Sequence, residues 1–154
     1  MNHPHAVLLT RFYEAFQRRD PEGMIACYHP NVVFMDPVFG RLRLDEVSAM
    51  WRMLNSRAKD LQLSFSNIDA DEHCGSVQWE AVYTFSKTGR RVHNKIDAQF
   101  GFYEGLILAH RDRFDLWKWS RMAFGAKGLL LGWTPLIRKP IQMEARRGLE
   151  TFMA

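Results

Sequence analysis

The chain has 154 residues, with 21 lysines and arginines against 17 aspartates and glutamates, a formal charge of +4 that no long basic run concentrates. That length is one domain by the usual roughly 100–200 residues per domain, and 11 Phe, 5 Trp and 4 Tyr supply a core that excludes a disordered chain. Basic pairs such as Arg18-Arg19 and Arg146-Arg147 read as solvated surface, and with no helix-turn-helix, RNP or zinc-finger pattern, nucleic acid is not an expected partner.

The opening Met-Asn-His-Pro-His is not a basic-then-apolar signal sequence. Residues 5 to 19 carry Leu8, Leu9, Phe12, Tyr13 and Phe16 at helical period. Asp20-Pro21-Glu22 reads as an N-cap followed by proline at the first helical position. The short helix it opens places Met24, Ile25 and Tyr28 on one face and ends at His29-Pro30-Asn31. Val32, Phe34 and Asp36 then alternate with Val33 and Met35, so the aspartate shares a strand face with two apolar side chains. Pro37 and Gly40 break that strand. A third helix opens at Leu44 or Asp45 and carries Val47, Met50, Trp51 and Leu54.

From Leu61 the period changes to two. Leu61, Leu63 and Phe65 form one strand face, and Val77, Trp79, Ala81, Tyr83 and Phe85 another. Lys87-Thr88-Gly89-Arg90 is a hairpin turn, a long strand runs from Val92 to Tyr103, and Glu104-Gly105 turns into a last strand expected to reach Trp119. The order predicts an α+β domain over residues 1–125: a curved, mainly antiparallel mixed sheet packed on three N-terminal helices. Residues 126–154 form a C-terminal extension. Leu129, Leu130, Leu131 and Trp133 are expected to pack on the domain or on a partner subunit, and a helix from about Ile141 carries a stripe of Ile141, Ala145, Leu149 and Phe152. No stretch approaches the ~18 apolar residues of a membrane span, so no membrane contact and a cytoplasmic location are expected. The two cysteines, Cys27 and Cys74, form no CxxC.

Three aspartates in or beside apolar strand segments raise the question of function: Asp36, Asp97 and Asp112. Burying a charged carboxylate costs several kcal/mol or more, so such positions are retained for a reason. On a regular strand Asp112 shares a face with Leu108, His110 and Phe114, where desolvation favours the neutral acid and suits general acid/base work. Against that stands a structural carboxylate paired with Arg111 or Arg113. Asp36 has the competing reading of a turn-capping aspartate. Strict alternation puts Asp97 on a polar face and leaves Asn94 among the apolar set, unless a β-bulge reverses them. His29, His93 and His110 have no metal-ligand spacing, and no glycine-rich phosphate loop is present, so neither a metal nor a nucleotide or flavin cofactor is expected.

The segments Phe34-Met35-Asp36-Pro37-Val38-Phe39-Gly40 and Phe102-Tyr103-Glu104-Gly105-Leu106-Ile107 resemble the nuclear transport factor 2-like superfamily. Asp112 with Phe114-Asp115, Trp117 and Trp119 resembles its SnoaL-like polyketide cyclase branch. The resemblance, over residues 5 to 125, implies a cone-shaped pocket for a small hydrophobic molecule, and a homodimer. Asp36 matches the general base of steroid delta-isomerases and Asp97 their neutral, hydrogen-bond-donating aspartic acid, while Phe12 stands where their tyrosine lies, with Tyr13 one position on. Asp112 matches an aspartate of limonene epoxide hydrolases, whose Arg-x-Asp strand motif is missing near Trp79 to Ala81. The least contradicted implication is a cofactor-free enzyme of cyclase or isomerase type acting on a carbonyl or polyketide-like compound, with Asp112 as acid/base. Asp36 and Asp97 are the other catalytic candidates. Phe12, Tyr13, His29, Phe34, Trp51, Trp79, Asn94, His110 and Phe114 are expected to line the pocket. The alternative is a non-catalytic ligand-binding or protein-interaction domain. The aromatic strand face of Val92, Ile96, Phe100 and Phe102 is the further ground for expecting a homodimer.

Overall fold

The computed structural model describes residues 3–131 and 134–154. Helix α1 (Pro4–Gln17) starts with proline in its first turn and buries Leu8, Leu9, Phe12, Tyr13 and Phe16. Asp20 caps α2 (Pro21–Ile25) by accepting the Gly23 N–H at 3.0 Å. Strands β1 (Tyr28–Asp36) and β2 (Gly40–Leu42) form a short antiparallel hairpin, and α3 (Leu44–Arg57) follows. Then come β3 (Gln62–Ala70), β4 (Cys74–Phe85), β5 (Arg90–Tyr103) and β6 (Leu106–Arg113). The last helices are α4 (Leu116–Phe124), α5 (Ala126–Leu131) and α6 (Pro135–Met153).

The six strands lie in the order β2-β1-β6-β5-β4-β3, antiparallel except for the parallel β1–β6 pair. The β5–β6 connection has two residues, Glu104 and Gly105, both at positive φ (53° and 76°), the geometry that matches the twist of the strands it joins. Gly75 leaves room for α1 on the sheet, since a Cβ there would meet Phe102 and Leu9 side-chain carbons at 2.9 and 3.0 Å.

Two apolar clusters result. The larger sits between the sheet and helices α1 and α3; the smaller gathers Val92, Leu116, Trp119 and Ala123, with Val38 and Ile141 against it. Val92, Ile96, Phe100 and Phe102 are each 9% exposed or less, covered within the chain. This face therefore offers no free surface to a homodimer.

Three expectations need correction. Tyr28 opens β1 instead of closing α2, which ends at Ile25; the next residue, His29, is biased toward extended backbone by Pro30. The break expected at Pro37 and Gly40 is where β1 ends, and Gly40, its φ of 71° supplying the turn, starts β2. The last strand stops at Arg113: Asp115 accepts the N–H groups of Trp117 and Lys118 and starts a helix, so Trp117 and Trp119 are helical. Helix α6 begins at Pro135, six residues before Ile141, with proline pre-set for the first turn.

In the extension, Leu129 and Leu130 are 44% and 69% exposed and do not pack on the domain of their own chain; Trp133 and the side chain of Leu131 lie outside the described residues. Leu149 is buried in the larger cluster and Ile141 packs against the smaller, while Phe152 stays exposed. Polar contacts add to this. The Gln142 side-chain amide donates to the Pro37 carbonyl at 2.9 Å, and Arg146 bridges the Phe39 carbonyl (3.3 Å) and the Glu46 carboxylate (3.3 Å). Glu46 also accepts the Arg43 N–H at the start of α3, so one carboxylate ties α3 to α6.

Candidate active site

The parallel register of β1 and β6 sets Phe34 against His110 and Met35 against Arg111, and its next step brings Asp36 beside Asp112. Period-2 alternation turns Phe34, Asp36, His110 and Asp112 toward the helices. Arg111 and Arg113 are exposed on the opposite face, so Asp112 pairs with neither. Asp112 is 4% exposed and accepts from His110 Nε2 at 2.9 Å and from Trp79 Nε1 at 3.4 Å.

The bonds behind His110 run in one direction. Trp51 Nε1–H can only donate, and it meets the Tyr28 hydroxyl oxygen at 3.0 Å. The Tyr28 hydroxyl is then free to donate to His110 Nδ1 at 2.8 Å, which leaves the Nε2 proton for Asp112 Oδ1. Burial keeps the Tyr28 phenol well above its usual pKa, so it stays a donor at working pH. The imidazole is held by rings on every side, among them Phe100 (4.4 Å between centroids), Phe34 (5.0 Å), Phe12 (5.5 Å) and Trp51 (6.3 Å).

Asp36 is built differently. Its Oδ1 accepts the N–H groups of Val38 (2.9 Å) and Phe39 (2.6 Å), the turn-capping role open to an aspartate at a strand end. Burial nevertheless pushes its carboxyl up to about 7, against the lowering effect of these bonds and with the nearby Asp112 carboxylate adding to the rise. Asp36 and Asp112 line the same 140 Å³ recess, together with Met35, Pro37, Arg111 and Arg113 at the ends of β1 and β6. A second, larger groove of 660 Å³ shares Asp36 and Pro37 and is closed on its far side by α6.

Tyr13 is fully buried beside this group, its ring 6.0 Å from Trp79, and among the described residues its hydroxyl has no hydrogen-bond partner. Burial first, and the Asp112 carboxylate second, hold its phenol well above the ordinary range.

The structure separates the other candidates. Asp97 is exposed on the outer sheet face opposite Arg113 and Gln78, because β5 keeps its alternation past that point; it does not join Asp36 and Asp112. Asn94 takes the inward face, half-buried. His29 is buried at the opposite end of β1 from Asp36, next to Tyr103 and 3.7 Å from Glu104, and cannot assist the aspartates. Phe114 lies past the end of β6 and bridges the two clusters. Among the described residues no three His, Cys, Asp or Glu side chains converge as a metal site would require, and no helix is long and apolar enough to cross a membrane.

Two contributors escaped the sequence reading. Tyr28 was hidden by its placement in a helix, although the His29-Pro30 pair signalled extended backbone. The α6 side chains that wall the larger groove gave no local signal, because only tertiary packing brings them to the β1–β2 turn.

A family model for the SnoaL-like domain matches residues 9–110. No curated protein matches the sequence. Among solved structures, an NTF2-like protein of unknown function from Burkholderia pseudomallei K96243 is 23% identical, with a TM-score of 0.69 over 80% of this chain and 99% of its own. An LEH-like epoxide hydrolase from M. tuberculosis is 22% identical, with a TM-score of 0.64 over 87% and 95%. A protein of ketosteroid isomerase-like fold from Catenulispora acidiphila, solved with trimethylamine, is 10% identical, with a TM-score of 0.68 over 83% and 97%. At these identities the likeness is one of fold.

Proposed function

The chain belongs to the SnoaL-like domain family, and on that premise we propose that it is an enzyme working by aspartate acid/base chemistry on a small hydrophobic carbonyl or polyketide-like compound. The observation that carries this reading is the pair of unlike carboxyls on one recess. Asp36 keeps its proton to about pH 7, while Asp112 is held by two ring N–H donors. A carboxyl that keeps its proton, set beside one whose oxygen is engaged by ring N–H donors, puts an acid and an accepting carboxylate on one recess. His110 and Trp79 both donate to Oδ1 of Asp112, which leaves Oδ2 as the oxygen for a substrate proton. Tyr28 and Trp51 hold the imidazole in the tautomer that makes this possible. Such a pair suits enolisation followed by ring closure or double-bond shift: Asp112 removes a proton beside a carbonyl and Asp36 donates one to the oxygen.

The test is turnover on a panel of ketone, enol and epoxide compounds by wild type and Asp112→Asn. The variant keeps the shape and an acceptor for His110, so its melting temperature should hold. Turnover should fall by about 10²–10⁴-fold, the usual worth of a positioned acid or base. A variant as active as wild type, or a wild type that binds apolar ligands and turns none over, sinks the catalytic reading. The second outcome favours the non-catalytic binding domain. One observation already leans that way: the cone is filled by Phe12, Tyr13, Trp51 and Phe100, all nearly inaccessible, and the recess admits only a small reacting group.

A further inference from the structure

A 140 Å³ recess cannot hold a whole polyketide-sized molecule, so the body of any ligand must lie in the adjoining 660 Å³ groove. The chemistry of that groove is uneven. Its floor on the strand side is apolar, with Pro37, Val38 and Phe39, and Met143 of α6 extends it. Its far wall carries three arginines, Arg138, Arg146 and Arg147, against one glutamate, Glu150. Asp36, the other acid on the groove, is held mostly neutral up to about pH 7 by its burial.

The three arginines are not equivalent. Arg146 is engaged by Glu46 and by the Phe39 and Arg41 carbonyls, and serves to dock α6. Arg138 and Arg147 are exposed, and among the described residues neither has a carboxylate within salt-bridge distance. A concave wall with two unpaired guanidinium groups concentrates anions, and the planar guanidinium favours carboxylates over point charges.

We propose that the groove is a binding site for an amphipathic organic acid, its carboxylate held by Arg138 or Arg147, which stand nine residues and about 13.5 Å apart along α6, and its apolar body lying along Phe39 and Met143 toward Asp36. This names a substrate class for the reading above; binding itself does not depend on catalysis. The C-terminal extension then completes the site and selects for charge. Of the solved relatives, the Burkholderia protein is matched over 99% of its length by 80% of this chain, so about a fifth of this chain has no counterpart there.

Calorimetric titration of the full chain with 2-naphthoate and with its uncharged isostere 2-naphthamide tests the proposal. Wild type should prefer the acid by about tenfold or more, with the preference shrinking as salt screens the arginines. Arg138→Gln/Arg147→Gln, two exposed positions whose loss leaves the packing intact, should abolish the preference and keep the weaker amide binding. Asp112→Asn should keep the preference, which separates this site from the chemistry. No binding of the acid, equal binding of acid and amide, or an unchanged preference in the double variant overturns the proposal. Intact preference without turnover leaves it standing and overturns only the catalytic reading.

Discussion

Asp36 and Tyr13 show how single residues carry the tension in this fold. Asp36 has its carboxyl raised to about 7, whereas in the unfolded chain it titrates near ~4. Between those values the folded state holds a proton that the unfolded state has lost, so stability from this group is full below about pH 4 and falls as pH rises toward 7. The slope is at most ~1.4 kcal/mol per pH unit. Asp36→Asn keeps the acceptor for Val38 and Phe39 and removes the titration. Denaturant melts of both proteins should therefore converge at pH 4 and separate by pH 7–8, with the variant the more stable; parallel curves would show that Asp36 titrates normally. Tyr13 carries a buried hydroxyl without a partner among the described residues, a group whose desolvation costs ~1–3 kcal/mol. Tyr13→Phe should raise stability by about 1 kcal/mol, read as a higher denaturant midpoint at unchanged slope. A loss of stability would reveal a hydrogen bond that the hydroxyl makes in solution.

At the level of elements, the instructive region is the turn from β6 into α4. Alternating apolar residues run from Leu106 beyond Phe114, and a strand reading follows the period. One side chain ends it, since Asp115 offers its carboxylate to two backbone N–H groups and the chain coils. Helix α4 then folds back over β5, and α5 crosses it at Gly128, where a Cβ would collide with the Ser120 backbone carbonyl. Gly128→Ala should force the helices apart at a cost of ~1–3 kcal/mol, the usual penalty of overpacking, visible as a lower melting temperature. Unchanged melting would mean that the α4–α5 contact gives way freely.

For the molecule as a whole, the extension is part of the fold. Leu149 is 1% exposed within the larger core and Ile141 packs on the smaller, so removing residues 126–154 uncovers apolar surface on both. Burial of a side chain such as Leu149 is worth ~1.5–3 kcal/mol, and in a chain of this size that moves the melting temperature by several degrees. A truncated protein that melts like the full chain would show α6 to be undocked.

The helical stripe of Leu8 to Phe16, the two-residue alternation from Leu61 onward and the Glu104-Gly105 turn are local patterns. They settle the α+β class and the family resemblance without any knowledge of contacts. The inward face of Asp36 and of Asp112 follows from the same alternation. Which partners those aspartates meet does not, because it depends on the parallel β1–β6 register, formed between segments more than seventy residues apart. That register places Asp36 at Asp112, draws Tyr28 to His110 and leaves Asp97 outside. The charged wall of the larger groove is likewise a product of packing: in sequence Arg138 and Arg147 are two more surface cations, and only the docking of α6 through Gln142, Arg146 and Leu149 sets them across from Asp36.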